Sequence, residues 1–308
     1  MTTLFYILSI ILSIIIVIPT LIVFYGLVKL TGYHNNFKYL LSCVLLNTAL
    51  YFITIICCYT SYIIVKDKII LTYNTEIRYV FTYGGVHFVQ IYAIIERIIA
   101  ILYISKYETF NPNIPYLGIF LLLLGYLTYG VQRAIIMILN LYEEIILIEV
   151  NIFMLFAFII YIIIYRKHKF NRIHKDSFVN KNLSTKYQYI ENQKTYSIVS
   201  GLLLLFVIFT FTTNMIKILS TSFLVDFLQT DVLNFIFFMG VFCKTAATIG
   251  YLLWKIPKLL IEVKRITRIG NNRERVENIE GTKNSTSKNT IIKQGTQNDY
   301  FNQYGDQW

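Results

Sequence analysis

Two adjacent charges, Glu96 and Arg97, stand inside a run from about Glu76 to Ile104 that is otherwise mostly Ile, Ala, Tyr and Val. Held in a low-dielectric setting, an acid and a guanidinium can form an ion pair that breaks and re-forms as a switch, its two states differing by a few kcal/mol. Counting on by 4, 3, 4 and 3 from Tyr83 gives His87, Gln90, Ile94 and Arg97, which puts all five on one helical face. Lipid does not accept such a stripe, so it needs a protein interior to face. Two later runs offer matching groups. One carries Thr210, Asn214, Lys217 and Thr221 at 4, 3, 4 spacing; the other carries Lys244, with Gly240, Ala247, Thr248 and Tyr251 on its side. Small residues permit close helix approach, which turns Lys244 inward. An earlier run adds a mildly polar face of Asn47, Tyr51, Thr54 and Cys58.

These groups define a polar-aromatic cavity for a small molecule. Its candidate ligand-binding residues are Tyr83, His87, Gln90, Thr210, Asn214, Lys217 and Lys244. The plainer alternative is a set of interhelical hydrogen bonds, each worth about 0.6 kcal/mol, with Lys217 snorkelling to the interface. A lysine that forms an imine with retinal is a sharper alternative, but no carboxylate stands in the outer or middle third of the span at about 77–104 as its counter-ion.

The elements that must position these residues are membrane helices. Hydrophobic residues make up 56% of the chain against 15% charged, and they fall in blocks of bilayer-crossing length. Seven spans are expected, at about 4–30, 39–65, 77–104, 116–139, 146–165, 195–220 and 231–254. The first lacks a positive n-region and a small-residue cleavage site, so it reads as a span rather than a signal peptide. With so little chain before it, no ectodomain is expected to capture the ligand. Pro112 and Pro115 separate spans three and four, and Asn140 to Glu144 make the short turn between four and five. A helix rises about 1.5 Å per residue, so Arg78 and Arg97 are roughly 30 Å apart, one near each face of the bilayer.

Charge fixes the expected orientation. The net charge is +11, and with the N-terminus outside, the inner segments hold 21 of the 28 basic residues while the outer loops hold 3. Basic residues concentrate on the cytoplasmic side, beside anionic lipid. The two N-glycosylation sequons, at Asn182 and Asn284, then fall inside, where they go unglycosylated. After span seven, Ile256, Leu259, Leu260, Val263 and Ile266 share one face and Lys258, Lys264, Arg265 and Arg268 the other, with Pro257 in the first turn. This predicts a short amphipathic helix over 255–269 on the inner leaflet. From 270 to 308 the composition is that of a disordered cytoplasmic tail.

Enzyme readings fail on inventory. No Asp sits mid-span, no paired metal-ligand spacing or phosphate-cradling glycine loop is present, and Gly-x-Ser-x-Gly is missing. The four cysteines (Cys43, Cys57, Cys58 and Cys243) lie in apolar runs and read as free thiols. No cofactor and no nucleic acid is expected; the basic balance belongs to membrane-flanking segments. On the inner side the switch candidates are Glu96, Arg97, Tyr107 and Glu108, with Lys186, Tyr187, Gln188, Glu191 and Asn192 just before span six. Arg97 is expected to pair with Glu96 or with Glu191 in the resting state. The plainer reading is that Glu96 and Arg97 only neutralise each other.

Glu96-Arg97 followed by Ala100 and Tyr107-Glu108, then Leu183-Ser184, Tyr187-Gln188 and Glu191-Asn192, resemble the nematode serpentine chemoreceptors of the Sra superfamily. His34 and Asn36 fit its beta and epsilon classes, with epsilon favoured over beta or alpha. The resemblance covers about 35 to 254. It implies an all-α seven-transmembrane G-protein-coupled receptor for environmental chemicals, at the plasma membrane of ciliated sensory neurons. It also implies that Glu96-Arg97 is the counterpart of the acidic-Arg motif that ends span three in rhodopsin-like receptors. Lys186 stands where the family usually has Arg, which keeps the charge but loses the bidentate geometry. The rhodopsin-like disulfide and Asn-Pro-x-x-Tyr are missing. The expected partners are a small-molecule ligand, a heterotrimeric G protein and the bilayer. A seven-span ligand-gated cation channel or transporter is the alternative, and it would require charged rings lining a pore.

Overall fold

The computed structural model describes residues 2–30, 33–67, 69–103, 115–139, 144–173, 183–219 and 230–267. Among them seven helices are long and apolar enough to cross a bilayer, and no strand is present. We label them α1 (Thr2–Lys29), α2 (Asn35–Val65), α3 (Ile69–Leu102), α4 (Tyr116–Leu139), α5 (Glu144–Ile173), α6 (Leu183–Leu219) and α7 (Thr230–Lys255), followed by the short α8 (Pro257–Thr267). The predicted all-α seven-helix bundle is the observed one. In hydrocarbon no water satisfies a backbone amide, so runs of Ile, Leu and Phe close their hydrogen bonds within helices.

The burial pattern is inside-out. Ile11, Ile15 and Ile18 of α1, and Phe120, Leu123 and Leu127 of α4, point outward, while Ser13 and Thr20 are fully buried. Polar groups turned inward must find partners there. Thr20 does so locally, giving its hydroxyl proton to the Ile16 carbonyl at 2.6 Å beside Pro19.

Successive spans run antiparallel, so α1 begins at one face of the bundle, here the N-terminal face, and α7 ends at the other, the C-terminal face. Tyr6, early in α1, meets Tyr59 and Tyr62, late in α2, with ring centroids 4.8 and 5.3 Å apart. Tyr251, late in α7, donates to the Ser197 carbonyl, early in α6, at 3.0 Å. The third helix is central: it packs on α2, α4, α5 and α6. At the C-terminal face Leu259 of α8 is fully buried, while Lys264 and Arg265 are exposed, so α8 is amphipathic. Gly26 of α1 admits it, since a Cβ there would stand 3.1 Å from Leu259 Cδ1.

Candidate functional site

The middle of α3 departs from α-helix. Val80–Phe88 form a π-helix of nine residues, a geometry in which i→i+5 bonds widen the helix and which is frequent at functional sites. Its two glycines explain the local packing. A Cβ on Gly85 would overlap the Asn47 amide and collide with the Tyr126 hydroxyl; one on Gly84 would lie 3.0 Å from the Tyr126 ring. Tyr126 of α4 donates to Asn47 Oδ1 of α2 across this gap, and Asn47 Nδ2 donates to the Cys43 carbonyl at 2.8 Å. The three helices therefore meet where α3 lacks side chains.

The widened segment presents Thr82, Val86 and His87 to a cavity of about 30 Å³ in the half of the bundle nearer the N-terminal face. That is room for roughly two water molecules. Thr48 and Tyr51 of α2 line it, as do Thr210, Thr213 and Asn214 of α6, and Lys244 and Thr245 of α7 with the apolar Phe237 and Val241. No carboxylate is among the lining residues. Lys244 is buried, at 8% exposure. Its Nζ donates to Thr210 Oγ1 at 3.0 Å, lies 3.5 Å from His87 Nδ1, and stands 5.4 Å from the centre of the Phe206 ring. Asn214 Nδ2 donates to Asn151 Oδ1 of α5 at 3.1 Å. One shell further out, buried Arg78 of α3 lies against the hydroxyls of Tyr51 and Tyr59, 3.5 Å from the latter.

His87, Thr210, Asn214 and Lys244 thus come together on one cavity, as their spacing suggested. Gln90 does not join them. It lines a second, apolar cavity of about 20 Å³, one step toward the C-terminal face, with Phe37, Leu41 and Val44 of α2 and Leu202, Leu203 and Phe206 of α6. Both polar atoms of its amide are buried without a hydrogen-bond partner among the described residues. The split is one of depth: the two linings continue each other along α2 (Leu41 and Val44, then Thr48 and Tyr51) and along α6 (Leu203 and Phe206, then Thr210 and Thr213), and Gln90 sits one turn nearer the C-terminal face in the same groove. Tyr83 lies on the π segment and Lys217 near the end of α6, but their side chains fall outside the described ones. Sequence reasoning passed over Thr48, Thr82, Thr213 and Thr245. Lone threonines in apolar helices carry little signal, because they satisfy themselves on the carbonyl four residues back.

Glu96 and Arg97 form the centre of the other half. Arg97 Nε and Nη2 each donate to a Glu96 carboxylate oxygen at 2.5 Å, with side-chain exposures of 3% and 0%. The guanidinium also covers the Phe37 ring at 4.8 Å. Neighbours in sequence do not face each other on a helix, so both side chains bend to make this bidentate pair. His34 caps α2 by accepting from the Asn36 amide at 3.3 Å, and burial, followed by the nearby Arg97 charge, pushes its pKa down to about 4. Asn36 Oδ1 accepts from the Gly118 amide of α4 at 3.2 Å. Of the remaining switch candidates, Lys186, Tyr187, Gln188, Glu191 and Asn192 lie on the first turns of α6, and their side chains fall outside the described ones. Tyr107 and Glu108 lie outside the described residues altogether.

Phe206 borders the Gln90 cavity and lies beside Lys244; Phe37 borders the same cavity and lies under Arg97. The two charged centres are therefore joined by two rings and one small void.

No curated protein matches the chain. The model of the family described as Sre G protein-coupled chemoreceptor matches residues 67–308, which runs from the start of α3 through the last span. A match over most of the chain, on a bundle of seven apolar helices among the described residues, decides the assignment: this protein belongs to the Sre family of G-protein-coupled chemoreceptors.

Proposed function

We propose that this receptor binds a small environmental molecule in the cavity between α2, α3, α6 and α7 and signals to a heterotrimeric G protein at the C-terminal face. The observation that carries this is the separation of polar groups along α3. His87, Thr210, Asn214 and Lys244 gather on one cavity, while Glu96 and Arg97 are paired beyond it. Tyr83 and Lys217 are further candidates at the ligand end. Tyr107, Glu108, Lys186, Tyr187, Gln188, Glu191 and Asn192 are the candidates at the G-protein end. Gln90 lies between.

The N-terminal face is outside in this reading, supported by the 21-to-3 distribution of basic residues. The receptor resides in the plasma membrane of a sensory cilium, and the inner motifs support the epsilon class of the Sra superfamily. A cavity of about 30 Å³ is a resting-state volume; a ligand enlarges it by parting α6 and α7 from α3. That displacement would draw the first turns of α6, and Glu191 with them, away from Arg97, so that Glu191 gives up the guanidinium to Glu96.

Expression in a reporter cell with a promiscuous G protein, challenged with an odorant panel while whole-cell current is recorded, tests the proposal. A G-protein-dependent response that Thr210→Val weakens supports it. A current that persists under G-protein blockade would replace it with a channel.

A further inference from the structure

The cavity around Lys244 has a charge and no counter-charge. Among the described residues no carboxylate lines it and none is in ion-pair contact with Lys244. The ammonium has three N–H donors and meets one hydroxyl, one ring nitrogen at 3.5 Å and one aromatic face. Nearby threonines add no positive charge and little donor capacity. Thr48, Thr213 and Thr245 give their protons to their own helices at 2.8, 2.6 and 2.8 Å. Arg78, the next charge outward behind Tyr51, is also a cation. A cationic ligand would bring a third positive charge into this low-dielectric space. A neutral one would leave Lys244 without an anion, at a site where burying a charge is costly.

Beside this cavity lies a larger apolar groove, about 120 Å³, between α5 and α6, lined by Ile152, Met154, Leu155, Val207 and Phe211 with Asn151 and Thr210, and open on the outer face of the bundle where Ile152, Leu155 and Phe211 are half-exposed. Thr210, the hydroxyl on which Lys244 rests, borders both. The apolar walls would accept a hydrocarbon tail.

We infer that the ligand is a small carboxylic acid, its carboxylate bonded to Lys244 and its hydrocarbon tail directed past Thr210 between α5 and α6. This rests on the ligand site proposed above and narrows it to one chemical class. The carboxylate completes the bonds of the ammonium with charge-assisted contacts.

The test is direct binding to the full-length receptor in nanodiscs, with hexanoate, its neutral isostere hexanamide, and hexylamine as probes, read by thermal shift and equilibrium binding. We expect hexanoate to bind at least about 10-fold more tightly than hexanamide, the loss expected for one charge-assisted bond, and hexylamine not to bind. Lys244→Met should abolish the preference and Lys244→Arg should keep it. Equal binding of acid and amide by the wild-type receptor, or of neither, overturns the inference, and so does a preference that survives Lys244→Met. The wild-type comparison decides even if a variant fails to fold. Palmitate supplied in the nanodisc bilayer, run beside soluble hexanoate, separates entry from lipid from entry from water. Acid binding without G-protein activation would overturn the signalling proposal and leave the ligand class standing.

Discussion

Replacing Glu96 with Gln should be among the most damaging single substitutions in the bundle. The Glu96 side chain is 0% exposed, that of Arg97 is 3% exposed, and both carboxylate oxygens accept from the guanidinium at 2.5 Å. Gln keeps the shape and one acceptor but removes the negative charge. Arg97 is then a buried cation that has lost its carboxylate and keeps one amide acceptor and the Phe37 ring at 4.8 Å among its contacts, and a cation–π contact contributes only about 0.5–2 kcal/mol. Breaking a buried pair from one side costs about 3–5 kcal/mol, whereas removing both charges is far milder. In a chain of this size roughly 2 °C of melting temperature corresponds to each kcal/mol, so Glu96→Gln should lower Tm by roughly 6–10 °C. The double variant Glu96→Gln/Arg97→Gln should recover more than half of that loss. Thermal unfolding of the purified full-length receptor, followed by circular dichroism, reads both. Basal signalling of the same variants, with and without Glu191→Gln, reads the proposed exchange of partners. A double variant whose loss equals the sum of the singles would refute the coupling, and with it the switch.

Gly85→Ala places a methyl group inside the Asn47 amide and against Tyr126, so it should destabilise by about 1–3 kcal/mol and reduce surface expression. Gly130→Ala, with open space around it, is the control that should melt at or above wild type. Gln90→Met replaces a buried amide that has no hydrogen-bond partner with an apolar side chain of similar volume, so thermal stability should rise, by about 1 kcal/mol; a fall in Tm would mean the amide is satisfied. His34 is held neutral, its pKa lowered from 6.5 to about 4, so the unfolded chain binds the proton that the folded one refuses. The stability it contributes is intact above pH 6.5 and is lost as pH falls from 6.5 toward 4. His34→Asn, which keeps a capping acceptor, should melt with a shallower pH slope over that window, and equal slopes would refute the assignment.

The bundle was legible because lipid leaves few options: a run of about 20 apolar residues is a helix, and a polar residue within it turns inward. Hence the spans of α1 to α7, the amphipathic α8 and the inward Lys244 could all be read from residue type and period. The pairing of Lys244 with Thr210 and His87 was legible only as a shared face on three helices. Which face meets which depends on crossing geometry, and no sequence period encodes that. The π segment was not legible at all. Gly84-Gly85 gave no sign of it, because the partners that need the close approach, Asn47 and Tyr126, are 38 and 41 residues away from Gly85. His87 and Gln90 nonetheless face one groove between α2 and α6, and what the spacing did not tell is that they sit at different depths and line separate cavities.

The π segment also bears on how a signal would cross the bundle. The ligand end and the Arg97 end share α3, but a rigid helix would carry a shift at His87 to Arg97 only as a whole-body movement. A widened turn has a ready alternative, since returning Val80–Phe88 to α geometry removes the register offset and rotates everything beyond Phe88 against the residues before it. Two side-chain arrangements separated by a turn of the helix are the kind of bistable element that couples distant sites, whereas a line of contacts alone is not. Phe206 and Phe37, on either side of the Gln90 void, are placed to feel that rotation. The void gives the rings somewhere to go.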